Sequence, residues 1–361
     1  MQFYSPVVNR LFSHYFMRFQ ILAILLKRII HHGGYDRLNS CNPCNSWFIL
    51  PTMTHPSHSP LVYCIVLNLN GLSVIEEALS SIQKMTYANF RTLVVDNGSS
   101  DGSPGFIRER FPDIELLETG RNLGFGGGNN VGMEYALNNG ADWIFLLNND
   151  IVVDKNLLSE LMDVGLDEKS SGALGAKIYY YDEPDKIWFA GGNINFFTGL
   201  TTHRHIRMID TYENEHVQES DYITGCALLI RASVLKKVGL FDEVFFPSYV
   251  EDADLSMRIR HAGYKLRYVP KAKLWHKVSS FSGGGLTPLK IKLRTAHSLL
   301  FFRRYARWYH WLTMPFFILL GSVIFILRQG LKGNWTLIQA LFAGFAQGIR
   351  KVSSQVVSKV Q

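Results

Sequence analysis

From residue 61 onward the chain alternates short apolar runs with amphipathic stretches, and the two periodicities mark two kinds of element. Residues 62–67 are continuously apolar and read as a buried strand. Residues 73–84 follow helical spacing, with Ser73 and Glu76 placed as a capping box. Residues 92–95, 114–118 and 143–147 read as further strands, and 102–110 and 126–138 as helices. Strand and helix alternating at this interval predict an α/β fold built on a doubly wound, mostly parallel sheet. Beyond it, 173–230 is strand-like and looped, 251–262 helical, and 268–274 strand-like again.

The two ends differ in character. Residues 11–30 are apolar with Arg18, Lys27 and Arg28 interspersed, a pattern that suits an interfacial helix rather than a cleaved leader. Residues 31–60 are rich in His, Asn, Pro and Ser and predict irregular structure; Met53 offers an alternative translation start. After the glycines at 283–285 the chain turns basic and aromatic over 290–308. Residues 311–327 then carry no charge, although Pro315 and Gly321 interrupt them, and 337–349 form a second apolar stretch. Seventeen uncharged residues are at the lower limit for a bilayer span. A hairpin or an in-plane helix pair on the cytoplasmic leaflet therefore fits better than a single span. The pattern divides the chain into an extension (1–60), an α/β domain (61–285) and a helical C-terminal region (286–361).

Charge sharpens this division. The net charge of +7 conceals an asymmetry: 18 of the 37 Lys and Arg lie in 255–361, which holds no Asp or Glu, leaving 19 basic against 30 acidic residues before it. An acid-free basic third predicts an anionic partner: a membrane surface, a nucleic acid or a phosphorylated substrate. No recognition motif for nucleic acid accompanies it. Four cysteines are too few for a disulfide framework. Cys41 and Cys44 form a lone CxxC, while Cys64 and Cys226 sit in apolar runs and read as reduced core residues in a cytosolic setting.

Four segments carry candidate chemistry, and each follows a predicted strand or opens a predicted helix, where an open α/β sheet presents its ligand edge. Asp96, Asn97 and Asp101 follow the second strand, with Asp96 suited to accept a hydrogen bond from a pyrimidine ring N–H. Residues 121–132 (RNLGFGGGNNVG) include Asn122, Gly126 and Asn129, and their glycines let backbone approach a ligand closely. Asn148, Asn149 and Asp150 end the fourth strand. Asp150 can ligate a divalent ion on a diphosphate, and the two asparagines can contact ribose or sugar hydroxyls. Glu251, Asp252 and Asp254 open a helix, where clustered carboxylates raise one another's pKa as a general base requires. His276 follows the last strand as a neutral imidazole able to ligate metal. Gly225 and Cys226 lie between Asp150 and the helix-opening acids.

Taken in order, these segments resemble the inverting glycosyltransferases of family 2, and within them the rhamnosyltransferase-type branch that builds bacterial surface polysaccharides. The shared patterns are VDNxSxDxS at 95–103, NxGFxxGxNxG at 122–132, LNxD at 147–150, and Glu251-Asp252 followed by Arg258, Gly263 and Tyr264 within 245–264. The likeness covers about residues 61–280 and implies a GT-A fold. It implies that Asp96 contacts the base and that Asp150, last in a DxD motif opened by Asn148, binds Mg²⁺ or Mn²⁺ with His276 on the metal side. The catalytic base falls in the Glu251-Asp252 pair, with Asp252 preferred and Glu251 second. The implied reaction moves a sugar from a nucleotide diphosphate donor such as dTDP-rhamnose to a saccharide or polyprenyl-diphosphate-linked acceptor, without covalent intermediate or organic cofactor. The basic third would then dock the enzyme on the cytoplasmic face of the membrane, peripherally or through a single span. Two rivals are weaker. A sugar-phosphate nucleotidyltransferase needs a basic, glycine-rich loop after the first strand, which residues 68–72 (NLNGL) lack. A non-catalytic saccharide-binding protein would have no use for Asp150, Glu251 and Asp252 together.

Overall fold

The computed structural model describes residues 59–211, 215–278 and 285–357. The expected amphipathic stretch at 11–30 and the Cys41–Cys44 pair lie outside them.

Strand β1 (Val62–Asn68) is buried at every residue but one, as befits a strand covered on both faces. Helix α1 (Ile75–Ile82) buries Ile75, Ala78, Leu79 and Ile82 along one stripe. Then come β2 (Phe90–Asp96), α2 (Ser103–Arg110), β3 (Glu115–Glu118), α3 (Gly124–Asn138) and β4 (Trp143–Asn148). The four strands pair in parallel in the order β3-β2-β1-β4. The second half contributes β5 (Ile151–Val153), α4 (Leu157–Asp167), β6 (Ser171–Tyr180), β7 (Ile187–Phe189), β8 (Gly192–Asn195), β9 (Leu200–His203), β10 (Gln218–Glu219), β11 (Ala227–Arg231), α5 (Ala232–Val238), α6 (Glu251–His261) and β12 (Lys265–His276). β11 enters antiparallel between β4 and β6, and β12 joins β6 in parallel, so the expected mostly parallel α/β sheet is present. Side chains alternate across it with period two. Cys64, Val66, Val94, Phe145, Leu147 and Leu229 face one core. Tyr63, Ile65, Leu93, Val95, Ile144, Leu146, Leu228 and Ile230 face the other.

Two local expectations differ from the structure. Ser73 caps nothing: α1 begins at Ile75, and the N–H groups of Val74 and Ile75 both donate to the Gly71 carbonyl. The Leu72 N–H is held by Asp101 Oδ2 at 2.8 Å, so a tertiary bond rather than a capping box sets the entry. Pro315 interrupts nothing either, because it lies in the first turn of a helix, where its missing N–H has no intrahelical partner to lose.

The C-terminal region forms α7 (Pro288–Tyr305), a 3₁₀ turn (Trp308–Leu312), α8 (Met314–Leu331) and α9 (Trp335–Val357). α9 folds back along α7: a β-carbon on Gly344 would stand 2.7 Å from the Lys292 carbonyl oxygen, and one on Gly348 3.0 Å from that of Ala296. Only glycine permits backbones this close. α8, by contrast, buries only Met314 and Gln329, and by length and composition it is sufficient to cross a membrane.

Candidate active site

β1, β2 and β4 end at one sheet edge, where the parallel register sets Asn68 beside Asp96 and Leu67 beside Asn148. Fully buried Asn68 organises this edge. Its Nδ2 donates to Asp96 Oδ1 at 3.0 Å and Ser103 Oγ at 2.9 Å, and its Oδ1 accepts from Asn149 Nδ2 at 2.9 Å. Asp96 Oδ2 accepts the N–H groups of Gly98 and Ser99. Three of the roughly four acceptor positions of the Asp96 carboxylate are thus used within the chain, leaving one for a ligand N–H. Asp101 anchors the start of α2 by accepting from the Ser103 N–H and hydroxyl. These bonds and that from Leu72 outweigh partial burial and hold its pKa below the usual carboxylate value.

Asn97 joins this loop to the glycine-rich one. Its Nδ2 donates to Asn122 Oδ1 and the Gly124 carbonyl, and its Oδ1 accepts from the Leu123 N–H. The glycines themselves pack against protein. A β-carbon on Gly124, whose φ is +76°, would lie 2.6 Å from the Pro247 carbonyl oxygen. The others face Phe241 (Gly126), Leu123 and Glu243 (Gly127), Leu67 and Asn97 (Gly128), and Ile65 and Val95 (Gly132). Close helix–sheet packing therefore accounts for them. Asn129 Oδ1 is buried with no hydrogen-bond partner among the described residues.

Asp150 and His276 are both buried, with Asp150 Oδ1 3.0 Å from His276 Nε2 and Asn148 Nδ2 3.4 Å from the same nitrogen. Adjacent ligands of an octahedral Mg²⁺, each about 2.1 Å from the metal, stand about 3 Å apart. The pair fits one edge of such a site. Among the described residues no group of three or more His, Cys, Asp or Glu is arranged to hold an ion, so the remaining positions would fall to phosphate oxygens and water. Burial disfavours the charged imidazole, yet contact with Cys226 and Asp150 outweighs it and raises the His276 pKa to about 10, so an ion bound here would have to displace that proton.

Glu251 and Asp252 open α6. Asp252 accepts the Gly225 N–H at 3.2 Å and the Ala253 N–H at 2.8 Å, bonds that favour its charged form. Glu251 is buried, and its Oε2 has no hydrogen-bond partner among the described residues. Burial raises both pKa values, and the charge of Asp252 adds to the effect on Glu251. The two backbone donors on Asp252 favour charge there over Glu251. Asp254 is occupied elsewhere: fully buried, it meets Arg258, Arg304 and Tyr305 at 2.9, 2.9 and 2.8 Å.

The dipeptide Gly225-Cys226 forms a wall common to both acid groups. Gly225 holds Asp252, and the Cys226 carbonyl accepts the Asn148 N–H at 3.2 Å. Sequence reasoning passed over Asn68, Trp188 and His203. Asn68 carried a signal, an amide ending the first buried strand at the ligand edge. Trp188, which meets both His276 and His203 edge-on with centroids 4.7 Å apart, carried none.

A sheet edge lined with asparagines and acids, a buried Asp–His pair and a helix-opening acid pair are thus carried on a glycosyltransferase fold of the GT-A class. The chain belongs to glycosyl transferase family 2, whose sequence model matches residues 63–239. It is 30% identical over 230 residues to N-acetylglucosaminyl-diphospho-decaprenol L-rhamnosyltransferase of Mycobacterium tuberculosis, covering 58% of this chain and 73% of that protein. A dTDP-rhamnosyl transferase of Shigella flexneri is 22% identical over 224 residues, covering 61% and 70%. In fold the chain matches a Pyrobaculum calidifontis mannosyltransferase solved with GDP-Man and Mn²⁺, at TM-score 0.52 and 16% identity, over 81% of this chain and 88% of that one.

Proposed function

We propose that this chain transfers rhamnose or a related sugar from a nucleoside diphosphate donor to a polyprenyl-diphosphate-linked or saccharide acceptor in cell-surface polysaccharide synthesis, inverting the anomeric centre. The observation that carries this reading is the wall common to the Asp252 base and the Asp150–His276 pair. Rhamnosyltransferases among its relatives support the sugar class.

In this reading Asp96 fixes the pyrimidine base through its remaining acceptor position. Asn97, Asp101 and Asn122 hold the loops around the nucleotide, while Asn129, Asn148, Asn149 and Gly225 line its sugar-diphosphate side. Asp150 and His276 would hold Mg²⁺ or Mn²⁺, which when bound would supply charge neutralisation for the diphosphate. Asp252 takes the proton of an acceptor hydroxyl as its oxygen bonds the anomeric carbon, and the bond to the nucleoside diphosphate breaks on the opposite face. Glu251, protonated, leaves Asp252 as the charged member of the pair.

α8 supports docking on the cytoplasmic face of the membrane. Phe316, Leu319, Leu320, Val323 and Leu327 are exposed along it, within a region free of acidic residues. The α/β domain at 61–285 would do the chemistry, and 286–361 would hold it at the acceptor.

The test is nucleotide release with Mn²⁺ across dTDP-, UDP- and GDP-sugars. One donor should be turned over, and Asp252→Asn should lower the rate by about 10²- to 10⁴-fold. Donor turnover that does not depend on Asp252 would sink the assignment of the base.

A further inference from the structure

The loop that delivers the acid pair has an unusual backbone. Tyr249 and Val250, immediately before Glu251, have φ of +82° and +78°. Aromatic and β-branched residues rarely adopt this conformation, and it persists only where surrounding structure imposes it. One support comes from α3, where the Phe125 N–H donates to the Pro247 carbonyl at 2.7 Å. The other comes from the C-terminal helices.

His297, fully buried on α7, places Nδ1 2.9 Å from the Ser248 carbonyl oxygen and 3.2 Å from that of Tyr249. Carbonyls only accept, so Nδ1 carries the hydrogen. Nε2 is then an acceptor, and Lys351 Nζ of α9 stands 2.9 Å from it. The same Lys351 Nζ donates to the Val244 carbonyl at 2.6 Å, on the far side of the loop. Burial and the Lys351 charge lower the His297 pKa to about 4, so the ring remains neutral as this pattern requires.

We propose that His297 is a positioning residue for the transfer reaction. Its Nδ1–H clamps the positive-φ turn that aims Asp252, and Lys351 fixes its tautomer. The proposal rests on the reading of Asp252 as the base. It makes α7 and α9 part of the catalytic machinery, apart from any contact α8 makes with a membrane. Arg304 and Tyr305 bind Asp254 one turn further along.

The experiment compares full-length wild type with His297→Ala, His297→Gln, Lys351→Met and Asp252→Asn. Hydrogen exchange over residues 246–253 needs no donor. Rates over pH use whichever sugar nucleotide the wild type turns over. His297→Ala should speed exchange in that segment with melting temperature nearly unchanged. It should lower kcat by about ten- to a hundredfold with KM little altered, as small misplacements of a reacting group do. The acidic limb of the profile should move to higher pH, because a displaced Asp252 loses the Gly225 N–H. His297→Gln should recover part of the rate, since its amide can donate to one carbonyl. Wild-type exchange, kcat and acidic limb in His297→Ala would overturn the proposal. If that variant fails to fold, Lys351→Met decides: faster exchange over 246–253 with reduced kcat supports the clamp, and wild-type behaviour refutes it. Full activity in Asp252→Asn would remove the base reading and the clamp together. An inactive Asp252→Asn beside an unaffected His297→Ala would remove the clamp alone.

Discussion

His276 Nε2 lies 3.0 Å from Asp150 Oδ1 because β12 and β5 pair antiparallel with His276 opposite Ile151. Strand register, rather than proximity in the chain, creates the pair. The Lys277 N–H reinforces it by donating to the Asp150 carbonyl at 2.8 Å.

This pair should govern metal dependence. His276→Ala and Asp150→Asn are each expected to raise the Mn²⁺ concentration for half-maximal turnover by at least about tenfold, in line with what even outer-shell changes cost metal sites. A titration of activity with Mn²⁺ measures it directly. An unchanged midpoint in both variants would mean the ion is held elsewhere.

His203 gives the fold an acid-sensitive point. Burial, against a hydrogen bond to the Trp188 carbonyl, lowers its pKa from 6.5 to about 4. The unfolded chain therefore binds the proton more readily. The stability it contributes is complete above pH 6.5 and is lost as pH falls through about 4, of order 3 kcal/mol in all. Urea melts of wild type and His203→Gln between pH 7 and 4 should show a shallower decline in the variant.

Glu168 behaves in the opposite chemical sense. Arg267 Nε donates to its Oε2 at 2.6 Å, and this partner lowers its pKa from 4.5 to about 2. Stability from the pair is present above pH 4.5 and fades toward pH 2. The carboxylate is about a quarter exposed, so screening reduces its worth, and Glu168→Gln should cost about 1 kcal/mol at pH 7. Thermal melts at pH 7 and pH 3 check it, since the difference between variant and wild type should shrink at the lower pH.

The exposed stripe on α8 should read out on vesicles. Leu319 is 64% and Phe316 61% exposed. A Leu319→Asp, Val323→Asp double variant is expected to lose most co-sedimentation with vesicles containing anionic lipid while keeping its melting temperature. Equal sedimentation would show that α8 is not the contact.

Much of this protein is legible in its residues. Apolar runs flanked by Asx residues mark strands and the edge where they end, because a strand's period and a turn's chemistry are set by neighbours a few positions apart. Asp96, Asp150 and the Glu251-Asp252 pair all follow from that local grammar. The misreadings are equally physical. Ser73 has the composition of a cap, but the Asp101–Leu72 bond decides where α1 begins, and the α3 glycines that suggest a ligand loop instead admit Phe241, Leu67 and Val95. Only the tertiary structure sets His276 against Asp150, withdraws Asp254 into an ion cluster with Arg258 and Arg304, and folds α7 and α9 back so that His297 reaches the loop before Glu251. Each of these depends on strand register or helix packing between distant segments, and no short window of sequence encodes such a contact.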